Sequence, residues 1–401
     1  MSRSTLRRRV AALSWVEKTT PPGQGCCRGY STANRSAPSR WRRRGGGTAG
    51  RMSSRTTSAN TAPWRNAVDT GPRMSTPVRP AKGGGEQGKR EMRVVLFGNH
   101  NLAVNCLHTL VERGHDVVQV YTHGPSKGEN VWYRSLHEAA EELGLPVRRL
   151  GKIDREALVE QVRSLEPDLI FSLSWRKMLP EEVLQIPRIA SINAHGSLLP
   201  AYRGRTPVTW VVANGERFTG ISFHRMVEAP DAGDVFLQEE IPIDPFMTGG
   251  ELFKRVTEVG TRLFAVLLEQ LEKGTTAPVK QDPSKATYFG GRGPVDDVID
   301  WRRPAETVYN LVRAVTPPYP GAVSLYEGEE TRILRALPLS LTLEAGAGEI
   351  THLLPEGPTV CCGDGRLLLL LETRQKEGAD TLFRAGEYFS SREETIKALG
   401  L

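Results

Sequence analysis

The sequence predicts an α/β protein whose main body is a mostly parallel, twisted sheet with helices on both faces, followed by a small β-rich domain. Three observations lead there. From Met92 onward, short apolar runs alternate with amphipathic stretches. After Pro317-Pro318-Tyr319-Pro320-Gly321 the pattern changes to short strands separated by Gly-containing turns. The charge also divides where the alternation begins: residues 1–91 hold 19 Lys/Arg against 4 Asp/Glu, a net of +15, and residues 92–401 hold 34 against 42, a net of −8. The whole-chain charge of +7 would by itself point to a nucleic-acid partner, but it belongs to one segment.

The elements follow in order. Val94-Val95-Leu96-Phe97 is a short apolar run closed by Gly98-Asn99, as a buried parallel strand ends. Residues 102–113 are amphipathic, with Val104, Leu107, Leu110 and Val111 at helical spacing. Residues 117–121 read as a second strand, 133–143 as a helix, 147–150 as a strand, 155–165 as a helix, and 168–173 and 189–192 as further strands. This repeated crossover is Rossmann-like and places ligands beyond the carboxyl ends of the strands. Residues 251–272 form a long helix through Leu252, Val256, Val259, Leu263, Val266, Leu267 and Leu271, and 304–315 another. Strands at 322–326 and 331–337, then the leucine run at 367–371, make the last domain antiparallel and OB-like. The expected organisation is a disordered basic extension at 1–91, the main α/β domain at 92–280, a helical connector at 281–316 and the β domain at 317–401.

Composition excludes several classes. The longest apolar run is about six residues, far short of the ~18 that span a bilayer, so no membrane partner is expected. The five cysteines (Cys26, Cys27, Cys106, Cys361 and Cys362) form no CxxC, which is neither a disulfide framework nor a zinc pattern, and a reducing compartment follows. Residues 1–91 are rich in Arg, Ser, Thr, Gly and Pro and poor in apolar side chains that would offset ordering entropy. They read as an organelle transit peptide, a nucleic-acid-binding arm, or an over-extended reading frame ahead of Met92. The last is favoured because Met92 sits directly before the first strand. The expected location is cytoplasmic, or the mitochondrial matrix if the segment is a transit peptide.

One stretch is dense in polar residues at fixed offsets: Ser191-Ile192-Asn193-Ala194-His195-Gly196-Ser197-Leu198-Leu199-Pro200, running into Ala201-Tyr202-Arg203-Gly204-Arg205-Thr206-Pro207. Asn193 and His195 are two apart, so on an extended segment they face the same side. An amide that donates to a carbonyl beside an imidazole that moves protons suits attack on a carbonyl carbon. Ala229-Pro230-Asp231-Ala232-Gly233-Asp234 adds two carboxylates, either of which would tune the imidazole or simply make the turn. Spacing alone supports an acid–base site in an α/β enzyme and no more.

These residues carry a resemblance. Asn193-Ala-His195-Gly-Ser197-Leu-Leu-Pro200 with Tyr202-Arg203-Gly204 resembles the signature of the formyltetrahydrofolate-dependent formyltransferases, in which an Asp follows about 38 residues later in a Gly-containing loop; here that position is Asp231. The likeness runs from Met92 to Leu401. It implies a metal-free transfer with N10-formyltetrahydrofolate as co-substrate. Asn193 would donate to the developing oxyanion, His195 would support it and move the amine proton, and Asp231 would orient His195 and raise its pKa, directly or through an ordered water. It implies a folate site around Trp175, Arg176, Met178, Leu179 and Val227, with Ser197 either part of it or a turn cap.

Within the family the likeness is nearest to the amino-sugar N-formyltransferases, in particular to the formyltransferase part of the bifunctional UDP-4-amino-4-deoxy-L-arabinose enzyme. His195-Gly196-Ser197, Arg203-Gly204-Arg205-Thr206-Pro207, Phe223-His224-Arg225-Met226 and Asp300-Trp301 carry it. The implied acceptor is an amino-sugar nucleotide, with Arg203, Arg205, His224 and Arg225 near its diphosphate and Trp132-Tyr133 against a sugar or base. Methionyl-tRNA formyltransferase is the alternative, and a folate-binding relative that has lost the reaction is the third reading. Charge favours the sugar. A tRNA-binding surface needs Lys/Arg for phosphates, whereas the folded part is net −8, and the loop at 123–130 has one basic residue, Lys127.

Overall fold

The computed structural model describes residues 90–126, 128–151, 154–375 and 382–401. The basic extension through residue 89, and Lys127, lie outside the described residues. The chain enters the central sheet as β1 (Arg93–Gly98), crosses by α1 (His100–Glu112) to β2 (Asp116–Thr122), by α2 (Leu136–Glu142) to β3 (Val147–Arg149), by α3 (Arg155–Ser164) to β4 (Leu169–Leu173), and by the one-turn α4 (Glu181–Leu184) to β5 (Ala190–His195). These five strands are parallel. After the two-residue β6 (Arg203–Gly204) and α5 (Pro207–Ala213), β7 (Phe218–Arg225) adds antiparallel to β5, and β8 (Val235–Pro242) antiparallel to β7. The order across the sheet is β3-β2-β1-β4-β5-β7-β8.

Side-chain alternation builds a core on each face. Val94 and Leu96 of β1, with Leu169, Phe171 and Leu173 of β4, join the larger cluster. Val95 and Phe97, with Ile170, join the smaller one, beneath Leu158 and Val162 of α3. The larger cluster also takes in α6 (Gly249–Glu272), which buries Leu252, Val256, Val259, Leu263, Phe264, Leu267 and Leu271. Thr248 opens α6 with a capping box: its hydroxyl accepts from the Glu251 N–H at 3.2 Å, and its N–H donates to Glu251 Oε2 at 3.0 Å.

The expected helix at 133–143 begins at Leu136, because the Ser135 hydroxyl accepts from the Glu138 N–H at 3.2 Å and stops the helix from extending backwards. Trp132 and Tyr133 therefore stand in the loop before it. The strand read at 189–192 runs on to His195, so Asn193 and His195 lie on the strand itself.

The chain then forms β9 (Tyr288–Phe289), paired with β6, and α7 (Ala305–Val315). α7 packs on α5 and on the last sheet, and its Val308 and Val312 belong to the same core as β1. That sheet is β10 (Ala322–Tyr326), β11 (Glu329–Thr342), β12 (Ile350–Leu354), β13 (Gly357–Cys361) and β14 (Arg366–Gln375), all antiparallel in the order β10-β11-β14-β13-β12. Bridges from Tyr326 to Phe389 and from Glu349 to Tyr388 bring one segment against both ends of this order, ahead of α8 (Arg392–Leu399). The α/β sheet and the C-terminal β domain are both as the sequence predicts. Among the described residues no helix is long and apolar enough to cross a membrane.

Candidate active site

β5 carries Asn193 and His195, and the register with β7 sets His224 directly across from Asn193. The β7–β8 connection then folds back over them. It is closed by the Arg225 N–H donating to the Asp234 carbonyl at 2.8 Å, and it requires glycine at 233, where a Cβ would sit 2.1 Å from the Arg225 carbonyl oxygen. Asp231 occupies this loop with φ of 53°, a left-handed conformation that Asp tolerates better than most residues. Its Oδ2 accepts from the Gly204 N–H at 2.8 Å, and its Oδ1 faces Asn193 Nδ2 at 3.4 Å, His195 Nδ1 at 3.6 Å and His224 Nε2 at 3.3 Å. Gly204 itself has φ of 105° and lies against the Phe289 carbonyl, 2.2 Å from where a Cβ would be.

The hydrogen-bond partners assign the imidazole nitrogens. His195 Nε2 lies 2.7 Å from the Tyr202 carbonyl and His224 Nδ1 lies 2.9 Å from the Arg225 carbonyl. Carbonyls only accept, so both nitrogens carry hydrogen. That leaves His195 Nδ1 and His224 Nε2 facing Asp231, with His224 Nε2 also accepting from Asn193 Nδ2 at 3.1 Å. Burial pushes the His195 pKa below its ordinary value; Asp231 and the Tyr202 carbonyl push it up and do not overcome burial. Asp231 thus acts on the His195 pKa in the expected direction, and desolvation outweighs it. For Asp231, burial opposes the charge, but a hydrogen bond from His224 once that ring is protonated, the fields of the two rings in their protonated form and the Gly204 N–H hold its pKa down at about 2.

Asn193, His195 and Asp231 open into one cavity of about 1320 Å³. Trp175, Arg176, Met178, Leu179 and Val227, expected at the folate site, line it, as do Arg205, His224 and Trp132 from the expected acceptor contacts. Arg176 is not free there: it is paired with Glu129, whose pKa its guanidinium hydrogen bond holds down at about 2. The Trp175 ring packs edge-on against Phe97, with centroids 5.5 Å apart.

Four of the expected residues lie elsewhere. Ser197 is fully buried, and its hydroxyl donates to the Ala201 carbonyl at 2.7 Å, so it caps the turn leaving β5. Arg203 is buried and donates to Gln281 Oε1 at 2.7 Å and to the Tyr288 hydroxyl at 2.6 Å. Arg225 lies over the Phe236 ring at 5.3 Å. Tyr133 stacks on His100 at 3.6 Å and donates to Glu129 at 2.9 Å.

The sequence reading missed Gln281, whose side-chain amide donates to the carbonyls of Asp231 at 2.8 Å and Gly233 at 2.6 Å and so links Arg203 to the Asp231 loop. It sits in an irregular segment with no periodic signal. It missed Arg332 and Arg374 as cavity residues, although their strands were legible.

Residues 92–268 match the formyl transferase family, and residues 294–388 match the formyl transferase C-terminal domain. The chain belongs to the formyl transferase family. It is a formyltransferase in which both domains are present in the family's order. Solved structures share the fold. An N-formyltransferase from Helicobacter canadensis, in complex with folinic acid and dTDP-3-aminofucose, is 20% identical, with a TM-score of 0.56 over 69% of this chain and 98% of that one. WlaRD, a sugar 3N-formyl transferase solved in the presence of dTDP and 5-N-formyl-THF, is 18% identical, with a TM-score of 0.56 over 72% and 100%. HypX from Aquifex aeolicus, in complex with tetrahydrofolic acid, is 21% identical, with a TM-score of 0.50 over 77% of this chain and 47% of that one.

Proposed function

We propose that this formyltransferase moves the formyl group of N10-formyltetrahydrofolate onto the primary amine of a nucleotide-linked amino sugar of the UDP-4-amino-4-deoxy-L-arabinose kind. The observation that carries the reading is the convergence of Asn193, His195 and Asp231, within 3.4–3.6 Å of one another through Asp231 Oδ1, on a cavity with an apolar wall at Trp175, Met178 and Leu179. An apolar pocket with a few convergent polar groups suits a pterin beside a reacting carbonyl. The solved relatives bound to folinic acid or tetrahydrofolic acid, one of them together with an amino-sugar nucleotide, support both substrates.

The chemistry follows from the protonation states. The amine nitrogen bonds to the formyl carbon, the carbonyl oxygen gains negative charge, and the C–N10 bond then breaks, releasing tetrahydrofolate with a proton on N10. His195 Nδ1 carries the lone pair that takes the amine proton, and the resulting imidazolium faces ionised Asp231. Both N–H groups of Asn193 are engaged within the protein, one to His224 Nε2 at 3.1 Å and one to Asp231 at 3.4 Å. The longer bond is the weaker and is the one a developing oxyanion takes over.

The test is a side-by-side assay of tetrahydrofolate release from N10-formyltetrahydrofolate, with UDP- and dTDP-linked amino sugars and with Met-tRNA as acceptors. A nucleotide sugar is expected to react fastest. Faster reaction of Met-tRNA overturns the acceptor, and no release with any of them overturns the reading.

A further inference from the structure

The C-terminal sheet brings to the catalytic cavity a charge arrangement that its own stability does not call for. Arg332 on β11 and Arg374 on β14 are register partners on neighbouring antiparallel strands, and both line the cavity. Like charges directly opposite each other in a sheet are destabilising. Arg332 is relieved by Glu330 at 2.6 Å and by the Pro320 carbonyl at 3.2 Å. The Arg374 guanidinium has no carboxylate or hydrogen-bond partner among the described residues. Arg205 lines the same cavity, and its guanidinium likewise has no such partner among the described residues. This concentration of guanidinium groups occurs in a chain that is net −8 over residues 92–401.

An aromatic wall shares the cavity with this pair. The Trp132 ring meets Tyr319 edge-on at 6.1 Å, and Asn130 Nδ2 donates to the Pro318 carbonyl at 3.1 Å. These contacts fasten the loop before α2 to the segment that leads into β10. A guanidinium pair suits bidentate contact with phosphate oxygens, and an aromatic face suits a flat ring.

We propose that Arg332, Arg374 and Arg205 bind the diphosphate of the acceptor while Trp132 and Tyr319 face its ring, so that the C-terminal domain forms part of the acceptor site. This rests on the nucleotide-sugar reading above and adds the groups that would recognise it.

The test uses the full chain and the variants Arg374→Ala and Arg374→Lys. Binding of UDP and dTDP is measured by calorimetry, and KM is measured for the amino-sugar nucleotide and for N10-formyltetrahydrofolate. The wild type is expected to bind the nucleoside diphosphates. Arg374→Ala is expected to weaken that binding and raise the acceptor KM by about ten-fold or more, with kcat and the folate KM unchanged, and lysine is expected to recover part of the loss. The thermal midpoint of Arg374→Ala is expected to match or exceed that of the wild type, because a like-charge pair is removed. Equal binding by wild type and Arg374→Ala overturns the proposal, as does a wild type that binds neither diphosphate. So does an effect confined to the folate KM, which would assign Arg374 to the folate's carboxylates. Arg374-dependent UDP binding without turnover of any amino-sugar nucleotide supports the diphosphate site and overturns only the acceptor assignment.

Discussion

At His195 the direction of two opposing effects decides the chemistry. Burial favours the neutral ring, and Asp231 favours the charged one by less, so the base form persists below the ordinary histidine value of about 6.5. The acid limb of the kcat/KM profile is therefore expected below pH 6.5. Asp231→Asn removes the largest contribution that raises this pKa, so the limb is expected to move to still lower pH while kcat falls; a limb that moves upward would sink the assignment of Asp231. The stability linkage has the same sign for both residues. Each has a folded-state pKa below its unfolded value, so each favours the folded state above that unfolded value and loses the contribution as pH falls. For His195 the window opens near pH 6.5, and for Asp231 it runs from 3.8 toward about 2. Asn193→Ala is expected to lower kcat by about 10²–10³, the usual cost of one oxyanion donor, with the folate KM little changed in steady-state assays. Full kcat would remove Asn193 from the mechanism.

At the scale of elements, strand register and one loop assemble the site. β5 sets Asn193 and His195 on one face, β7 brings His224 across from Asn193, and the β7–β8 connection lowers Asp231 onto them. Gly233→Ala places a Cβ where the Arg225 carbonyl stands, so the loop must move; kcat is expected to fall with little change in circular dichroism. A kcat equal to that of the wild type would show that the loop has slack. Thr248→Ala removes the side-chain half of the capping box on α6 and is expected to cost about 1 kcal/mol of unfolding free energy, read as a lower denaturant midpoint. β1 and β4 were legible because strands covered on both faces are nearly continuous apolar runs, and α6 because its leucines and valines recur at helical spacing. β7 and β8 were not: Phe-Thr-Gly-Ile-Ser-Phe-His-Arg holds small and polar residues on buried positions, and Glu239-Glu240 interrupts the alternation of β8. Burial of the first set depends on neighbouring strands, which local sequence does not display.

For the whole molecule, the described residues that line the cavity run from His100 to Arg374. A chain beginning at Met92 is accordingly expected to keep the wild-type kcat and KM for N10-formyltetrahydrofolate and the nucleotide sugar, as steady-state kinetics at matched salt would show; a large loss would place a function in residues 1–91. Sequence alone determined the α/β alternation, the change to a β domain after Pro317 and the charge division at Met92, and it marked the triplet Asn193, His195 and Asp231 as candidates. The first three are local patterns, and the triplet is readable because a fixed spacing and a family signature mark it. Tertiary structure decided what those residues touch. It turned Arg203 and Ser197 into supports, paired Arg176 with Glu129, brought His224 to the centre, and carried Arg332 and Arg374 from the last sheet to the cavity of the first. These relations join positions tens to well over a hundred residues apart. Strand pairing and the burial of a shared core set them, and neither is written in the spacing of neighbours along the chain.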